Sequence, residues 1–93
     1  MMAKILLYEH PNFQGRCLEI TRPTPHLSKY CFNNKVSSLK VICGEWRLCE
    51  HSDFEGDQYT VCERGGPCCN GNYPCPCDWC GENNEISSLY PVC

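Results

Sequence analysis

The stretch YEHPNFQGRCLEI, Tyr8 to Ile20, returns later in the chain as CEHSDFEGDQYTV, Cys49 to Val61, with Glu, His, Phe and Gly in the same register. A second pair, NNKVSSL (Asn33 to Leu39) and NNEISSL (Asn83 to Leu89), differs only at Lys35/Glu85 and Val36/Ile86. The first pair is displaced by 41 residues and the second by 50, so the later half carries about nine extra residues between its matching blocks. Self-similarity of this kind marks a duplicated structural unit. The extra residues fall within CERGGPCCNGNYPCPCDWC, Cys62 to Cys80. The chain therefore reads as one domain, residues 1–93, built from two copies of one unit, about 3–43 and about 44–93, with a cysteine-rich loop elaborated on the second.

Each copy reads as β. KILLY, RCLEITR, VSSLKVIC, EWRLCE, DQYTVCE and ISSLYPV are short runs rich in Val, Ile, Leu, Tyr and Thr, separated by turn residues, as the strands of a sandwich or barrel require. Apolar spacing of the i, i+3, i+4 kind is missing between breakers, which argues against a long helix. Gly15 and Gly56 stand two residues after Phe13 and Phe54, where a folded-over hairpin needs positive φ.

These residues resemble the βγ-crystallin Greek-key motif: aromatic-x4-aromatic-x-Gly (Tyr8, Phe13, Gly15) followed by a serine-bearing strand. The second copy departs once, with Cys49 in the place of the first aromatic. The resemblance implies an all-β sandwich of two four-stranded Greek keys, with the cysteine-rich loop inserted in the second, and a structural protein of the eye-lens type. Ser38 and Ser88 resemble the serine that hydrogen-bonds the folded hairpin.

NNKVSS and NNEISS also resemble the family's calcium signature, Asn/Asp-Asn/Asp-x-x-Ser/Thr-Ser. The chemistry suits Ca²⁺, a hard cation that takes six to eight oxygens at about 2.3–2.6 Å. The resemblance implies two shared sites. One would use the carbonyls of Glu9 and Lys35, the Ser37 hydroxyl and the Asn84 side chain. The other would use the carbonyls of Glu50 and Glu85, the Ser87 hydroxyl and the Asn34 side chain. Family members often carry Asp where both copies here have Asn, and neither mapped site contains a ligating carboxylate. Such neutral shells should bind weakly, toward about 10⁻⁴–10⁻³ M. The competing reading, that Asn-Asn and Ser-Ser only form turns, explains one copy well but not two in phase with two hairpins.

The eleven cysteines admit three readings. Disulfides suit a small, loop-rich protein in an oxidising compartment, and an odd total leaves at least one thiol free or available for an intermolecular bond. Reduced cysteines would act as small hydrophobes. The cluster Cys62, Cys68, Cys69, Cys75, Cys77 and Cys80 would suit a soft metal, although a structural zinc site usually pairs two separated C-x2-C knuckles. CDWC, Cys77 to Cys80, has the spacing of a redox motif, but Pro and Gly stand where the helix of a thioredoxin-like site would run.

Length and charge narrow the function. A chain of 93 residues has a modest core, so staples or a bound metal would help it. A net charge of -3 without a basic stripe argues against nucleic acid and anionic membranes as partners. No apolar run approaches the roughly 20 residues of a spanning helix. No secretory leader is legible, so a cytoplasmic protein is expected, or a secreted one if a leader has been removed. His10 and His51 occupy matching hairpin positions, which points to a shared structural role rather than a unique base. The expectation is a non-enzyme that binds two calcium ions and is monomeric or weakly self-associating. Its alternatives are a secreted, disulfide-rich interaction or inhibitor module on the same fold, or soft-metal binding by the cysteine cluster.

Overall fold

The structure, a computed structural model, describes residues 3–79 and 86–92. Seven strands form two antiparallel sheets: β1 (Lys4–His10), β2 (Gln14–Ile20), β3 (Ser38–Cys43), β4 (Glu45–His51), β5 (Glu55–Cys62), β6 (Asn72–Tyr73) and β7 (Ser88–Pro91). The first sheet has the order β2-β1-β3-β6 and the second β5-β4-β7. Alternation sets which face each strand buries. Ile5 and Leu7 of β1, Leu39 and Val41 of β3, Trp46 and Leu48 of β4, Val61 of β5 and Leu89 of β7 all point into one apolar cluster between the sheets. Leu27, Phe32, Val36 and Ile86 join it from the connecting loops.

The two halves interlock rather than merely stack. Strand β6, from the second half, pairs with β3 of the first through Leu39 and Tyr73. Reciprocally, Thr24 of the first half bridges Leu89 of β7, with N–H···O distances of 2.8 and 3.1 Å. The chain then continues over the other half's hairpin in both cases: Asn12 N–H donates to the Pro74 carbonyl and Asp53 N–H to the Pro25 carbonyl, each at 2.9 Å. Among the described residues the second sheet has three strands, and the first half contributes to it through this single bridge rather than a longer strand. The cause is local. Pro23 and Pro25 flank Thr24 and have no N–H to extend the ladder.

Both folded hairpins form as the glycines suggest. A short 3-10 turn, Pro11–Phe13 in the first half and Ser52–Phe54 in the second, joins the paired strands. Asn12, Phe13 and Gly15 have φ of 58, 61 and 81°, and Asp53, Phe54 and Gly56 have 59, 63 and 84°. Non-glycine residues rarely adopt such angles and need outside support. Buried Ser38 supplies it: its Oγ accepts from Phe13 N–H at 3.0 Å and donates to the His10 carbonyl at 2.6 Å. Ser88 does the same for Phe54 and His51, at 3.0 and 2.6 Å.

Candidate metal centre

The Asn-Asn and Ser-Ser segments lie where the two halves meet. Asn34 takes the left-handed conformation, φ 55°, which Asn tolerates better than most residues. Its N–H donates to the Ile86 carbonyl at 3.0 Å, so the turn of the first half is tied to the serine segment of the second. Ser87 N–H donates to the Cys49 carbonyl at 2.9 Å, and Ser37 N–H to the Tyr8 carbonyl at 2.9 Å, the same bond in each half. These bonds set each first serine beside the residue that follows the paired carbonyl, Glu50 or Glu9.

Asn34, Glu50, His51 and Ser87 line one cleft of about 240 Å³. Three of the four residues expected to share an ion with the second half are thus neighbours; the fourth, Glu85, lies outside the described residues. Ser87 Oγ donates to Asn34 Oδ1 at 3.2 Å. Two oxygens on a calcium shell of radius about 2.3–2.6 Å, separated by a usual ligand angle, stand about 3–3.4 Å apart. Both are hard, neutral oxygens, so the donor chemistry and the spacing fit Ca²⁺.

The counterpart in the first half differs in charge. Glu9, Lys35 and Ser37 are described and Asn84 is not. The Glu9 carboxylate receives both Nε and Nη2 of Arg16, at 3.2 and 2.9 Å, and the same Nη2 donates to the Cys31 carbonyl at 2.8 Å. The Arg16 hydrogen bonds hold the Glu9 carboxyl below the usual carboxylate range, against a smaller opposing effect of desolvation, with Arg16 and Lys35 charges adding to them. Position 57 matches position 16, and there the chain has Asp57. Glu50 instead accepts from the Tyr59 hydroxyl at 2.6 Å. Lys35 likewise faces a sequence counterpart of opposite sign, Glu85. Around its expected ligands the first half thus carries Arg16 and Lys35, where the sequence of the second half has Asp57 and Glu85.

Sequence reading missed His51 in the lining of the cleft and Arg16 and Tyr59 as partners of Glu9 and Glu50, although the register of the repeat already set Arg16 against Asp57. The histidines have structural employment. The His10 and His51 rings cover Gly15 and Gly56 so closely that a Cβ on either glycine would stand 2.5 Å from the ring Cδ2. His26 Nε2 lies 3.3 Å from Asp53 Oδ1.

Of the cysteines, Cys75 and Cys77 are joined as a disulfide, whereas Cys17, Cys31, Cys43, Cys49, Cys62, Cys68 and Cys69 are free thiols. Cys80 and Cys93 lie outside the described residues. The expected disulfide-rich loop thus has one bridge among the described residues, between cysteines two apart. No helix among the described residues is long and apolar enough to cross a membrane.

Comparison with known proteins agrees with this architecture. Residues 4–92 match the family model Beta/Gamma crystallin. Beta-crystallin A3 of Bos taurus is 40% identical over 94 residues, covering 97% of this chain and 40% of that protein. Gamma-crystallin N of Xenopus tropicalis is 37% identical over 90 residues, covering 97% of this chain and 45% of that protein. The chain therefore spans less than half the length of these relatives. Among solved structures, a beta gamma crystallin from Ciona intestinalis superposes with a TM-score of 0.84 at 33% identity, covering 95% of this chain and 98% of that one. A betagamma-crystallin from an archaeon gives 0.81 at 28% identity, covering 99% and 100%.

Proposed function

The chain belongs to the Beta/Gamma crystallin family, and from that premise we propose that it is a non-catalytic structural domain whose two halves are clamped by Ca²⁺. The observation that carries this reading is the cleft that joins Asn34 of the first half to Glu50 and Ser87 of the second. An ion there would be held by the Asn34 amide oxygen, the Ser87 hydroxyl and the carbonyls of Glu50 and Glu85, with water completing the shell. The second ion would use Glu9, Lys35, Ser37 and Asn84. The ion supplies no chemistry beyond cross-linking. It binds the folded chain alone, so it stabilises that state by mass action.

The two sites are unequal. Arg16 and Lys35 oppose a divalent cation at the first, whereas Asp57 and Glu85 favour one at the second. Through-space charge effects of this kind change affinity without touching the ligand set. The Asn34 site therefore fills first, and both remain weak, about 10⁻⁴–10⁻³ M, because every mapped ligand is neutral.

Isothermal titration of calcium tests this reading. Asn34→Asp places a carboxylate in the shell and is expected to tighten the first-filled site, about tenfold; Asn84→Asp should do the same for the other. Asn34→Ala should abolish the tighter event. Unchanged titrations in both Asp variants would overturn the ligand assignment, and no heat in the wild-type chain at millimolar Ca²⁺ would overturn calcium binding itself.

A further inference from the structure

The added loop of the second half gathers metal-binding atoms of a different kind. Sγ of Cys75, Sγ of Cys77 and a carboxylate oxygen of Asp78 all lie within 4.8 Å of one another. The carboxylate is already held in place: Asp78 Oδ2 accepts from Cys75 N–H at 3.2 Å and lies 3.3 Å from Cys75 Sγ. The short turn Pro76–Trp79 that carries these residues is pinned by its other side chains. Pro76 and Trp79 are buried, and Trp79 meets Tyr73 edge-on with 6.3 Å between ring centroids. Just upstream, the Pro74 carbonyl is tied to the first hairpin through Asn12. The donors are thus fixed from below and open above, with Cys77 exposed and Cys75 and Asp78 half-buried.

The bridge between Cys75 and Cys77 makes a poor staple. A disulfide stabilises more the longer the loop of chain it closes, and this one encloses a single residue. An exposed sulfur in such a bridge is also open to attack by a thiolate. Reduction of the bond leaves two thiols and the Asp78 carboxylate on one short turn, where they can converge on a single ion. Two thiolates with one carboxylate make a borderline-soft donor set, which selects against Ca²⁺ and in favour of Zn²⁺.

We propose that Cys75, Cys77 and Asp78 form an exchangeable zinc site that the Cys75–Cys77 disulfide closes and reduction opens. Two small-molecule thiols reduce the bridge, giving two protein thiols and one small-molecule disulfide. Zn²⁺ then displaces the two thiol protons to solvent as both Zn–S bonds form. Three protein donors leave the fourth tetrahedral position to water, the arrangement of a site that exchanges its metal rather than one that is sealed. The site shares no residue with the proposed calcium ligands.

The test is zinc uptake by the purified chain, measured by competition with a chromophoric chelator after phosphine reduction and again after mild oxidation. Co²⁺ substitution reports sulfur ligation through its thiolate charge-transfer absorption. The reduced wild-type chain is expected to take up one tight equivalent that the oxidised chain does not. Cys77→Ser should lose that equivalent and its charge-transfer band. Asp78→Asn keeps an oxygen for the Cys75 N–H, so the turn stays formed, yet it should weaken zinc at least tenfold. A Cys68→Ser/Cys69→Ser double variant controls for neighbouring thiols and should bind as wild type. Wild-type uptake by Cys77→Ser or by Asp78→Asn would overturn the proposal. So would equal uptake by the oxidised chain, or a loss in the Cys68/Cys69 control as large as that in Cys77→Ser.

Discussion

Position 49 is where the two halves part. In the first half, Tyr8 meets Phe13 edge-on, 5.7 Å between centroids, and the Lys40 ammonium stands 4.7 Å from the Phe13 ring. In the second, Cys49 replaces the tyrosine and is buried, and Phe54 instead meets Tyr90 at 5.2 Å. Tyr90 occupies the position that matches Lys40. The aromatic partner lost from β4 is thus supplied by β7. Aromatic pairs add about 0.5–1.5 kcal/mol beyond the area they bury, and Tyr90 carries a whole ring into its contact where half-buried Lys40 brings an ammonium on a flexible stem. Tyr90→Ala should therefore cost more stability in urea unfolding than Lys40→Ala, although the two positions match. Burial pushes the Cys49 thiol up from its ordinary value, with Ser88 and Arg47 pulling weakly the other way, so it is a packing group and a poor nucleophile.

Glu9 has a consequence of the same scale. Its carboxyl is lower in the folded chain than in the unfolded one because Arg16 binds the charged form. A depressed carboxylate contributes stability that is present above its unfolded value, about 4.3, and lost as pH falls through the folded one. Arg16→Ala should remove that part of the acid dependence, a small effect because the pair is partly exposed. Acid titration of the melting temperature checks it: the two curves should converge toward low pH and separate above about pH 5.

At the scale of the element, the folded hairpin depends on a serine from another strand. Three residues of each hairpin have positive φ, two of them not glycine. Ser38 and Ser88 satisfy one N–H and one carbonyl apiece in buried surroundings. Ser38→Ala and Ser88→Ala should each cost about 1–3 kcal/mol, the penalty for buried groups left unpaired. Chemical unfolding measures it, and the similarity of the two values tests the equivalence of the halves. Gly56→Ala should cost about 1–3 kcal/mol as well, because its φ of 84° is strained for alanine and the new Cβ would press on the His51 ring. The hairpins were legible in advance because glycine after an aromatic is local chemistry. The bridge at Thr24 was not, since RPTPH offers neither alternation nor an apolar run, and only contact with Leu89 makes it part of a sheet.

For the whole molecule, the exchange of Thr24 and Tyr73 between sheets makes each half complete only in the presence of the other. Calcium at the seam would reinforce that dependence. At ten times the dissociation constant a bound ion adds about 1.4 kcal/mol per site. For a chain of this size that corresponds to roughly 5–10 °C in melting temperature. Calorimetry with and without calcium should show such a shift in the wild-type chain and a smaller one in Asn34→Ala.

The sequence by itself determined the duplication, the β architecture, the hairpin glycines and the paired Asn-Asn and Ser-Ser segments. Each is written in residues close together or repeated in phase, where spacing and backbone preference act locally. Only the tertiary structure decided that Asn34 meets Ser87 and Glu50, that Arg16 occupies Glu9, and that Tyr90 answers for Cys49. Those facts depend on which residues of one half the other half's strands bring within about 3–6 Å, and no local preference of the chain encodes that distance.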